Sequence, residues 1–197
     1  TQIRPLIFTD RNSNLMKHII LMSLTLYAAT SAAHVTLEQA SAPANSVYKA
    51  VLRVGHGCDG SPTTGLRVQL PAGFQGAKPM PKPGWVVTTR AEKLAQPYDS
   101  HGRQVTEDVV EISWRAAQRD AWLADAHYDE FIVRGRLPAS TGPVWFKVLQ
   151  TCETGQLDWS QIPAKGTDTQ GLKTPAARLD LEPVPSRPPG KAHGHHH

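Results

Sequence analysis

His34 is set up for metal chemistry by what precedes it. Met16-Lys17-His18, an apolar run from Ile19 to Tyr27 and the small residues Ala28 to Ala33 have the layout of a cleaved export signal: a short basic start, a hydrophobic stretch and a small-residue exit. Ser31-Ala32-Ala33 puts small side chains where a signal peptidase reads, so cleavage after Ala33 is expected to leave His34 as the first residue. An N-terminal histidine offers a metal two nitrogens, its α-amine and its ring Nδ1, a donor type that suits Cu(II). Cleavage after Ala32 would leave Ala33 in front and abolish that chelate. The apolar run falls short of the about 20 residues a membrane helix needs, which weighs against a retained anchor.

A second set of donors lies in Gly55-His56-Gly57-Cys58-Asp59-Gly60. Glycines let a backbone turn sharply and bring side chains toward a common point. With Cys58 bonded to Cys152, this loop is rigid and offers an imidazole, His56, and a carboxylate, Asp59, both acceptable to tetragonal Cu(II). The same six residues also fit a tight turn with a surface histidine and an aspartate that caps backbone amides. His101, in Asp99-Ser100-His101-Gly102-Arg103, reads as a solvated hairpin turn, and His127 reads as the approach to a strand. Glu38 shares a strand face with His34 but lies about 13 Å along it, too far for a common metal unless the chain bends.

The elements that must carry these groups read as short strands between Pro/Gly turns. Thr64, Leu66, Val68 and Leu70 alternate with Gly65, Arg67 and Gln69, the period of a half-buried strand. Similar runs are Val47–Val54, Trp85–Thr89, Val109–Trp114, Glu130–Leu137, Val144–Gln150 and Arg178–Glu182, with His34–Glu38 as a short edge strand. Only Arg115–Ala126 could hold a helical turn. Seven to nine short strands imply an all-β protein, an antiparallel β-sandwich of immunoglobulin or cupredoxin type. The expected organisation is an upstream segment 1–15, a signal peptide 16–33, the sandwich 34–182 and a disordered Pro/His-rich tail 183–197. That tail ends in His193-Gly194-His195-His196-His197, either a metal-scavenging segment or the remnant of a purification tag.

Composition narrows the function. Of 21 Lys+Arg and 17 Asp+Glu, the cations Arg4, Arg11, Lys17, Arg187 and Lys191 and the anion Asp10 lie outside residues 34–182. The sandwich is therefore neutral, with 16 of each sign, and carries no electrostatic footprint for nucleic acid. Two cysteines, Cys58 and Cys152, imply one structural disulfide in an exported chain, with a thiolate pair for Cu(I) as the rival. Phosphate-loop, nucleophile-elbow and His-Glu-x-x-His motifs are missing, as is zinc-type Cys/His spacing, so no enzyme is expected.

Taken together, His34-Val35-Thr36-Leu37, Tyr48-Lys49-Ala50-Val51-Leu52-Arg53-Val54, Gly55-His56-Gly57-Cys58-Asp59-Gly60-Ser61-Pro62-Thr63, Pro81-Lys82-Pro83-Gly84-Trp85, Tyr128-Asp129-Glu130-Phe131 and Gln150-Thr151-Cys152 resemble the YcnI-like family of exported copper-binding domains, in its Gram-negative, periplasmic branch. The resemblance implies a β-sandwich that binds Cu(II) through a mature N-terminal histidine, a single-histidine brace, with a carboxylate and a tryptophan nearby. It maps the histidine to His34 and the tryptophan to Trp159, beside the metal. The carboxylate role falls on the loop after the second strand, to His56 or Asp59. The function expected is a periplasmic copper chaperone or buffer. Its partners would be the copper ion and another periplasmic copper chaperone or a membrane copper transporter. The alternatives are a copper-dependent oxidase or monooxygenase, which needs a second histidine from His56 or His127, and a metal-free scaffold or adhesion sandwich.

Overall fold

Period-two alternation becomes paired strands where the inward residues are bulky or β-branched. In the computed structural model, residues 34–184 are described. The expected upstream segment and signal peptide, and the expected tail from residue 185 onward, lie outside the described residues. The eleven described strands are β1 (Thr36–Leu37), β2 (Ser41–Pro43), β3 (Val47–Val54), β4 (Thr63–Gln69), β5 (Gln75–Pro79), β6 (Trp85–Ser100), β7 (Arg103–Ala116), β8 (Asp129–Arg136), β9 (Gly142–Cys152), β10 (Gln156–Trp159) and β11 (Ala177–Glu182). Where a helical turn was expected there is one turn of 3-10 helix, Arg119–Ala121. No helix among the described residues is long and apolar enough to cross a membrane.

The strands form two sheets, one ordered β1-β3-β8-β5 and one ordered β2-β11-β9-β4-β7-β6, with β10 also on β9. Every strand pairing is antiparallel except β11 with β2. The sheets bury alternate residues against each other: Tyr48, Ala50, Leu52 and Val54 of β3 and Phe131 and Val133 of β8 from one side, Ile112 and Trp114 of β7 and Phe146 and Val148 of β9 from the other. Phe131 meets both Trp85 and Trp114 in T-shaped contacts, at centroid distances of 5.1 and 5.7 Å, which add to the apolar burial.

The sandwich agrees with the sequence reading, and β3 has the expected ends. The additional strands are β2, β5 and β10. β5 contains Gly76 and Pro79 and breaks register between Gln75 and Lys78, so it shows no alternation to read. β6 runs eleven residues past the expected Thr89, to Ser100. β4 pairs with β7 only over Glu111–Arg115, so the far end of the β6–β7 hairpin has no further strand paired to it in the sheet. There both faces are largely solvated, and a polar sequence needs no period. His101 and Gly102, at φ 54° and 73°, close that hairpin, as the Ser100–Arg103 segment suggested.

Candidate metal centre

Register brings two of the three expected ligands, His34 and His56, to one end of the β1–β3 pair. β1 pairs with the end of β3, Thr36 opposite Arg53 and Leu37 opposite Leu52. Extended two residues toward the N-terminus, that register sets His34 opposite Gly55, where the His56 loop begins. From the other sheet, β10 runs back along β9 with Trp159 opposite Val148, which sends the indole into the interior, 4% exposed. Both imidazoles meet it. The His34 ring lies 5.4 Å from the Trp159 ring at an interplanar angle of 82°, and the His56 ring lies 6.4 Å away at 83°. Each contact is edge-on, the geometry aromatic rings prefer over face-to-face stacking.

His56 is anchored through its ring. Its Nδ1 lies 2.5 Å from the Gly57 carbonyl oxygen. A carbonyl only accepts, so Nδ1 is the donor of this pair. Further contacts pin the loop around it. The Cys58–Cys152 disulfide forms as expected. The Gly57 N–H donates to Asp125 Oδ1 at 2.8 Å, while a backbone bridge between Thr63 and Leu123 holds Asp125's segment against the loop. Gly57 is required by close approach, since a Cβ there would lie 1.8 Å from Ser61 O.

Asp59 has another use. Cys58 and Ser61 exchange both backbone hydrogen bonds, at 3.0 and 2.9 Å, with Asp59 and Gly60 between them at φ 49° and 84°. Two central residues at positive φ are the mark of a type I′ hairpin turn, for which Asp-Gly is a preferred pair. Asp59 is exposed and lines a groove with Glu153 and Thr154. The turn reading that the sequence also offered for Asp59 accounts for its backbone conformation. The carboxylate that does touch the His56 loop is Asp125, through an amide. His127 is an exposed residue whose N–H closes a turn on Ala124 O at 2.9 Å.

Sequence reading missed Gln150. It is 1% exposed, and its Nε2 donates to His56 O and Thr63 Oγ1, both at 2.7 Å, while its Oε1 accepts from Trp159 Nε1 at 3.0 Å. Thr63 Oγ1 in turn lies 3.9 Å from Cys152 Sγ. The signal was present as a polar residue on the inward face of β9, in line with Phe146, Val148 and Cys152.

No group of three or more His, Cys, Asp or Glu side chains among the described residues is placed to hold a metal ion. The donors that converge on Trp159 are the two imidazoles. Imidazole nitrogen is a donor that Cu(II) accepts, and two imidazoles fall short of a tetrahedral zinc site built from side chains alone. Glu38 acts elsewhere: burial first, and then the Glu38 charge, push the Tyr48 hydroxyl up to about 12.

Fold and site together define an immunoglobulin-like β-sandwich with two histidines on one buried indole. The chain matches the family described as Domain of unknown function (DUF1775) over residues 34–181 and belongs to it; this is the YcnI-like family. The crystal structure of an uncharacterized protein from Nocardia farcinica, reported to reveal an immunoglobulin-like fold, superimposes with a TM-score of 0.58 at 23% identity. That alignment covers 75% of this chain and 97% of the other, and it bears on fold. No curated protein matches the chain.

Proposed function

We propose that this is an exported Cu(II)-binding protein that buffers copper or hands it on, with His34 as the mature N-terminal residue. The observation that carries the reading is the contact of His34 and His56, both at the same end of the β1–β3 pairing, with the same buried Trp159. His34 would bind through its α-amine and Nδ1, and His56 through Nε2, while Trp159 forms an apolar wall against which both rings are set. Copper is the cargo. The disulfide supports an oxidising compartment such as the periplasm, and the family match opens on His34. A copper chaperone or membrane copper transporter would supply or take the ion.

Cu(II) titration followed by EPR tests this on a chain that begins at His34 and carries alanine at His193, His195, His196 and His197. One equivalent should bind with a nitrogen-rich spectrum. His34→Ala should abolish that species, His56→Ala should remove one nitrogen and weaken binding, and Asp59→Ala should change neither. Loss on Asp59→Ala with no effect of His56→Ala would contradict the assignment.

The pair of imidazoles also favours a second reading, a redox-active copper centre of the oxidase or monooxygenase type. Oxygen uptake by the copper-loaded protein with ascorbate, above that of free Cu(II), would support it, and uptake at or below that level would reject it.

A further inference from the structure

We infer that Gln150 is the positioning residue of this centre, fixing the His56 backbone and the Trp159 indole relative to each other so that both imidazoles face one ion. The inference rests on the copper-binding reading of the His34–His56–Trp159 cluster. On β9 the inward positions are Phe146, Val148, Gln150 and Cys152, and β4 and β10 flank the strand at that level. A buried amide in such a place costs stability unless its groups are hydrogen-bonded. An aliphatic residue would fill the position without that demand.

The amide orientation follows from its partners. The His56 carbonyl can only accept and the Trp159 indole N–H can only donate, so Nε2 faces the loop and Oε1 faces the ring. Gln150 thus joins the backbone of one candidate ligand to the ring that both ligands touch. Its third bond, to Thr63 Oγ1, reaches the side chain beside Cys152 Sγ and fixes the amide's rotation. A residue placed only for packing would not need three bonds that converge on the loop and the indole. Outer-shell partners of this kind govern metal affinity through the orientation of the ligands.

The test uses the chain described above, with Cu(II) itself as the probe. Gln150→Leu removes all three bonds at similar volume, and Gln150→Glu keeps an acceptor for Trp159 but no donor for His56 O. Val133→Ala, a fully buried truncation in the other sheet, controls for a general loss of stability. Both Gln150 variants should retain one copper bound through His34, lose the His56 nitrogen from the EPR signature and bind about 10–100-fold more weakly. Val133→Ala should lower the melting temperature and leave the spectrum and affinity unchanged. Unchanged spectra and affinities in both Gln150 variants, alongside a nitrogen-rich parent, would overturn the inference alone. A parent that shows no nitrogen-rich species would overturn the copper reading together with it.

Discussion

Single residues in this molecule are used differently from what their types suggest in isolation. Asp59 has the chemistry of a ligand and serves as half of an Asp-Gly turn, whereas Gln150, unremarkable in the sequence, holds three buried hydrogen bonds. Context decides, because positive φ selects Asp-Gly and burial penalises any unanswered amide. Tyr48 allows a test at this scale. It is buried on β3, and its hydroxyl donates to Gln39 O at 3.1 Å. Its folded pKa of about 12 exceeds the ordinary 10.0, so its stabilising contribution is fully present below pH 10. That contribution is lost as the pH rises through about 12. Tyr48→Phe should cost about 0.5–1.5 kcal/mol at neutral pH. In chemical denaturation across a pH series, the deficit should stay constant to pH 9 and shrink between pH 10 and 12. A deficit that grew over that interval would refute the assignment.

At the level of elements, the candidate centre is assembled where three connections meet. β1 pairs with β3 and delivers His34; the loop after β3 delivers His56; β10 folds back on β9 and delivers Trp159. The Cys58–Cys152 disulfide ties the second of these to the third, 94 residues apart in sequence. Closing a loop of that size stabilises the fold by about 4–5 kcal/mol in the chain-entropy model. The double variant Cys58→Ser/Cys152→Ser should therefore melt well below the parent. Its copper affinity should fall by less than that of His56→Ala, because the Gly57–Asp125 and Gln150–His56 bonds still hold the loop. A melting temperature insensitive to reductant would contradict this role for the bridge.

Across the whole molecule, the sandwich was legible because most of its strands bury one face and so alternate, β3 and β4 most clearly. The limits of β6 were not legible, since the outer hairpin leaves the core and loses the period that marks a strand. β5 and β10 escaped for a related reason, being too short or too interrupted by Gly and Pro. The site was legible in part. His34 stood out from the apolar run before it and Trp159 from the family resemblance, and the Gly-flanked loop directed attention to His56. What the sequence could not convey was the register that sets His34 beside that loop, or the long-range bonds of Gln150 and Asp125, which depend on strands far apart in the chain.

The decisive measurement concerns the amine of His34. Two forms lacking the C-terminal histidines should be titrated with Cu(II) and followed by EPR, one beginning at His34 and one with a single alanine ahead of it. Nitrogen-rich binding of one equivalent in the first form, lost or strongly weakened in the second, is the result expected if the α-amine and Nδ1 chelate the metal. Equal binding by both forms would contradict it and leave the internal donors, His56 above all, to account for the copper.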